Sequence, residues 1–175
     1  MKNPVLAVAA AAAAIAVAAL AHAESPYVGQ EAREFKALSQ QEIEDYLNGN
    51  GQGYAKAAEL NQYPGPRHVL ELARQLALTE EQAARTQAVF DVMKARASLL
   101  GTQLVEKERE LDQRFASGAI DADSLEALLS EIGDLQASIR LEHLSAHLEQ
   151  KALLTRHQIQ LYEQLRGYGT SHTHE

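Results

Sequence analysis

Two histidines four residues apart, His143 and His147, are the side chains whose types and spacing best suit them to chemistry. Positions i and i+4 of a helix stack on one side, the placement two imidazoles need to share a metal ion. Two ligands are an incomplete set for zinc, which takes four, so a further donor must come from another element. If the helix folds back about residues 118–119, facing positions sum to roughly 237 in an antiparallel hairpin. His147 then faces residue 90 and His143 faces residue 94, which brings Asp91 within reach as a third ligand. Met93 stands nearby and reads as packing. Taking Leu141, Leu144 and Leu148 as the buried stripe puts the pair about 110° round the helix, at the edge of the core. The competing reading is a pair of ordinary edge histidines on a long helix. His172 and His174 add a second candidate in a flexible tail, whereas His68 and His157 carry no ligand pattern.

Catalytic constellations are missing from the sequence. It has no cysteine, no glycine-rich phosphate loop and no Gly-x-Ser-x-Gly elbow. Glu106, Glu108, Glu110 and Asp112 alternate with Lys107 and Arg109, the pattern of a solvated helix face with local ion pairs. The reading is of a protein that is not an enzyme.

The elements that must position the histidines follow from composition and spacing. Ala, Leu, Glu and Gln dominate, and no stretch alternates apolar and polar residues as a half-buried strand does, so the expected class is all-α. Ser39 with Glu42 forms a capping-box pattern for a short helix to about Leu47. The glycine-rich break 48–53 follows, then a short helix over Tyr54 to Leu60. A third is expected from Pro66 to about Leu76. Thr79 with Gln82 opens a long helix to about Ala116, whose seam is Phe90, Met93, Ala97, Leu100, Leu104 and Leu111. After Ser117-Gly118, Asp121 caps a second long helix over about 122–153. Its seam is Leu125, Leu128, Ile132, Leu135 and Ile139, then shifts to Leu141, Leu144 and Leu148. The short connection makes an antiparallel hairpin, and Thr155 with Gln158 starts a last helix that stops at Gly167. Residues 24–65 therefore form an N-terminal segment, 66–167 the hairpin domain, and 168–175 a disordered tail. So narrow a hairpin leaves apolar surface for the short helices or a second subunit to cover, and a homodimer is expected.

The first 23 residues have the three-part form of a secretory leader: Lys2, an apolar run from Pro4 to Leu20, and Ala21-His22-Ala23 as cleavage site. Cleavage after Ala23 leaves no membrane span and places the protein in the periplasm. It removes Lys2, the only charge of that stretch, and takes the net charge from −8 to −9. Such a balance argues against nucleic acid as a partner.

Leu78-Thr79-Glu80-Glu81-Gln82 and Leu154-Thr155-Arg156-His157-Gln158 are two copies of Leu-Thr-x-x-Gln, each at the start of a helix. Two such motifs bracketing a helical hairpin in an exported, cysteine-free chain resemble the Spy/CpxP family of periplasmic proteins and its heavy-metal-resistance and zinc-resistance-associated relatives. The resemblance covers roughly residues 66–166 and rests on Leu78, Thr79, Gln82, Leu154, Thr155 and Gln158. It implies a cradle-like dimer that holds unfolded or misfolded envelope proteins without ATP in the stress response. It also admits a sensor or buffer that binds Zn, Cu or Ni, and an envelope stress-signalling partner; apart from the resemblance stands a blander reading, a passive coiled-coil adaptor. Leu100, Leu104, Leu111 and Phe115 are the expected client-binding positions. The family's chaperones favour a basic concave surface, and this chain departs from them in being acidic.

Overall fold

The computed structural model describes residues 25–33 and 35–168. The leader and the tail histidines His172 and His174 lie outside them. Every regular element among the described residues is an α-helix: α1 Gln40–Leu47, α2 Lys56–Glu59, α3 Pro66–Glu71, α4 Glu80–Ser117, α5 Ala122–Leu153 and α6 Arg156–Arg166. Four of them start at a full capping box, built by Ser39 and Glu42, Thr79 and Gln82, Asp121 and Ser124, and Thr155 and Gln158. In each, the cap side chain accepts from the third amide, whose own side chain accepts from the cap amide, so two otherwise unpartnered donors are satisfied. Residues 25–33 form successive turns, closed for example by the Gln30 amide on the Tyr27 carbonyl at 2.9 Å.

Helices α4 and α5 make the expected antiparallel hairpin, turned at Gly118, whose φ of +69° suits a residue without a side chain. Three contacts fix its register. Gln150 Nε2 donates to Thr86 Oγ1 at 3.1 Å, Arg96 reaches Glu142 at 3.5 Å, and Lys107 reaches Glu131 at 2.6 Å. The two short helices that precede α4 are shorter than the sequence pattern suggests. α2 keeps only Lys56–Glu59, and α3 stops at Glu71. The chain then runs through turns to Ala77, whose φ of +47° ends any helical path and swings Leu78 into place before the Thr79 cap.

The seam of α5 corrects the sequence reading. It does not shift after Ile139 but continues in step through His143, Ala146 and Gln150, all buried, while Leu141 and Leu148 are 63% and 60% exposed. A helix locked to its neighbour by the Glu142 and Gln150 contacts cannot turn a different stripe inward without a break, and spacings of four, three and four keep the original one facing α4. The expectation assumed that leucines go inside. Here polar residues do, because further elements cover that side of the hairpin.

Those elements are α1, α2 and α3. Tyr46 of α1 presses its backbone on Gly101 of α4, and Ser98 Oγ donates to the Leu47 carbonyl at 2.5 Å. At the closed end, Val69, Leu76, Leu154 and Tyr162 form a buried cluster flanked by Leu72, Leu78, Ile159, Leu161 and Tyr168. The leucines of both Leu-Thr-x-x-Gln motifs, Leu78 and Leu154, thus pack together. Tyr168, the first residue of the expected disordered tail, is held in the fold: its ring packs on this cluster, and its hydroxyl donates to Glu59 Oε1 at 2.9 Å, while residues 169–175 lie outside the described residues.

Candidate functional site

His143 and His147 are not edge residues. They are 4% and 8% exposed, and both line a cavity of about 730 Å³ between the hairpin and the α1–α3 segment. The glycine-rich break roofs it. Gly51 lies against the Cε1–Nδ1 edge of His143, where an added Cβ would sit 3.5 Å from the ring, and Gly65 lies against the Cε1–Nε2 edge of His147 at 3.0 Å. A Cβ at 65 would crowd the His147 ring, whereas at 51 it would meet the His143 ring at ordinary contact distance.

The two rings differ in how they are held. His147 Nδ1–H donates to the Tyr63 carbonyl at 2.6 Å, which leaves Nε2 as the lone-pair nitrogen. His143 Nε2 is buried and has no hydrogen-bond partner. Burial, with His147 one turn away, lowers the His143 pKa and keeps the ring neutral, against a smaller opposing effect of Glu142.

Beside His147 stands Glu59, the carboxylate that ties the site to the closed end. Its Oε1 accepts from Tyr162 Oη at 2.5 Å and from Tyr168 Oη, with Arg166 Nε at 3.4 Å. Oε2 accepts from the Gly65 amide at 3.2 Å and lies 3.8 Å from His147 Nδ1. Burial, followed by the bond to Glu59, raises the Tyr162 pKa, and burial together with the Glu59 charge raises that of Glu163.

Asp91 does not join the histidines. It is exposed and accepts from Gln87 Nε2 at 2.8 Å, on the part of α4 that meets Leu47 and Asn48. Seen from α5, the residue turned to the cavity is Met93, which is buried. Among the described residues, no three His, Cys, Asp or Glu side chains are grouped as metal ligands.

The client-binding expectation also needs revision. Leu104 is fully buried in the hairpin and cannot meet a partner, and Leu100 and Leu111 are half-buried; Phe115 alone of the four is exposed. Beside Phe115, the large apolar side chains the hairpin leaves exposed are Val92 and Leu99 on α4, one heptad apart, and Leu129, Leu141 and Leu148 on α5, the last two also one heptad apart. Val92 and Leu141 share a groove of about 490 Å³ that lies across the hairpin from the α1–α3 cover and is bridged by Arg96 and Glu142. Burying one such side chain against a partner is worth roughly 1.5–3 kcal/mol.

No family model, curated protein or solved structure matches the chain. No helix among the described residues is long and apolar enough to cross a membrane.

Sequence reasoning found the histidine pair but missed its surroundings. Glu59 and Tyr63 lie in a segment without any motif, and nothing in their spacing points to α5. The glycines at 49, 51, 53 and 65 were the available signal: such density means either a turn or a close approach, and here it means both.

Proposed function

We propose that the protein binds unfolded polypeptide in the cell envelope without ATP, gripping apolar segments along the open face of the α4–α5 hairpin. The observation that carries this reading is the row Val92, Leu99, Leu141 and Leu148, each more than half exposed on a long, rigid helix pair. An apolar stripe with a charged surround suits loose, adaptable contact with exposed leucine and phenylalanine side chains of a client. The surrounding acidity keeps the holder soluble while it is loaded. The exported leader expected from residues 1–23 places this work in the periplasm, and the resemblance carried by the Leu-Thr-x-x-Gln motifs agrees with it.

The test is suppression of aggregation of a chemically unfolded client at stoichiometric ratio. Leu141→Glu with Leu148→Glu changes only exposed positions, so the fold should survive, as circular dichroism would verify. Loss of protection in that variant supports the reading, and undiminished protection sinks it. If the same face pairs two copies of the chain, sedimentation will show a dimer that the double variant loses and that clients compete away.

A further inference from the structure

We propose that His143, His147 and Met93 form a binding site for a soft monovalent metal ion, copper(I), a property separate from the open apolar face. A seam position is where an aliphatic side chain packs best. The hairpin instead places an imidazole there, excludes water from its Nε2 and supplies no hydrogen-bond partner. A buried ring nitrogen without a partner calls for an explanation, and a bound ion supplies one. One turn on, His147 donates Nδ1–H to a backbone carbonyl, the outer-shell bond that orients a ligating imidazole and leaves its Nε2 free to coordinate.

The choice of metal follows from the third donor. The contacts of Gln150 with Thr86 and of Lys107 with Glu131 set a register that places Met93 across from His143, on the wall of the same cavity. Its thioether is a soft, uncharged donor. The carboxylate that lines the cavity, Glu59, already serves two tyrosine hydroxyls, Arg166 and the Gly65 amide, and Asp91 faces elsewhere. Zinc takes four ligands, and the harder divalent ions favour oxygen or additional nitrogen, whereas thioether and imidazole together suit copper(I). Lys56, Arg67 and Lys94 also line the cavity, and their positive charge opposes a divalent ion more than a monovalent one.

The experiment is anaerobic titration of copper(I) into the full chain against the chromophoric chelator bicinchoninate, with zinc measured in parallel against a fluorescent chelator. The expected result is one copper(I) per chain withdrawn from the chelator and no zinc bound on the helical body. Met93→Leu, which conserves core volume, should weaken copper by about 10-fold or more. His143→Gln with His147→Gln should abolish the site. X-ray absorption should show a copper–sulfur distance that Met93→Leu removes. His172→Ala with His174→Ala should leave the tight site intact. Copper binding unchanged in the Met93 or the double-histidine variant would overturn the proposal, as would zinc binding of equal strength or no copper uptake at all. The client assay on the metal-free protein is independent, so failure of one proposal leaves the other standing.

Discussion

The side-chain amides of Gln82 and Gln158 hold each other across the closed end of the bundle. Gln82 Nε2 donates to Gln158 Oε1 at 2.9 Å, and Gln158 Nε2 donates to Gln82 Oε1 at 3.0 Å. Each amide also reaches a carbonyl of another segment, Leu153 for Gln82 and Leu76 for Gln158. The last residue of each Leu-Thr-x-x-Gln motif therefore caps its own helix and fastens that helix start to the other.

Replacing either glutamine by alanine removes both amide–amide bonds, the bond to one backbone carbonyl and the bond from the amide of its own capping threonine. A loss of about 1–3 kcal/mol is expected for each single variant, measured by urea denaturation. Because the two act as one unit, the double variant should lose clearly less than the sum of the singles, and strict additivity would contradict the coupling.

The His143 ring gives stability a pH dependence of known sign. Its pKa is lowered in the folded chain, chiefly by burial, so below about pH 6.5, the ordinary histidine value, the unfolded chain binds the proton more readily. The neutral ring's contribution is complete above that pH and is lost as pH falls toward the lowered folded value. His143→Leu should flatten the fall in melting temperature between about pH 7 and 5. An unchanged slope would place the dependence on other groups.

Glu59 offers a sharper disruption than its place on a four-residue helix suggests. Glu59→Ala leaves the Tyr162 hydroxyl buried without its acceptor and Arg166 without its counter-charge, a cost of about 3 kcal/mol. Hydrogen exchange should then speed up in α2 and α6 together. Exchange confined to α2 would show that Glu59 does not link them.

Close backbone contact ties α1 to α4. A Cβ on Gly101 would run into the Tyr46 carbonyl, and one on Gly49 would lie 2.5 Å from the Lys94 carbonyl, at a φ of +64°. Gly101→Ala should destabilise by about 1–3 kcal/mol and free α1 while leaving the hairpin helical by circular dichroism.

Much of this was legible in the sequence, for definite reasons. Helix starts are local events, and the boxes at Ser39, Thr79 and Thr155 announce themselves within four residues. The hairpin follows from two seams and the turn at Gly118. What stayed hidden depends on contacts far apart in the chain. Which stripe of α5 faces inward past Ile139 is decided by elements nearly a hundred residues earlier, and those elements reward His143 and Gln150 at the seam while leaving Leu141 and Leu148 outside. The exclusion of Asp91 has the same origin, whereas the burial of Leu104 follows from its own place in the α4 seam. Hydrophobicity alone cannot foresee a polar seam roofed by glycines.

The histidine cavity and the cluster of Val69, Leu76, Leu154 and Tyr162 are built from residues far along both arms from the turn at Gly118. Reach and anchorage are thus written in separate stretches of sequence. Adding one heptad to each arm, matched across Gly118, would lengthen the hairpin by about 10 Å without touching a residue of the histidine cavity. An insertion in one arm alone would slide every facing pair out of step. A lineage carrying this architecture can vary the span of its arms by paired sevens and keep the same base.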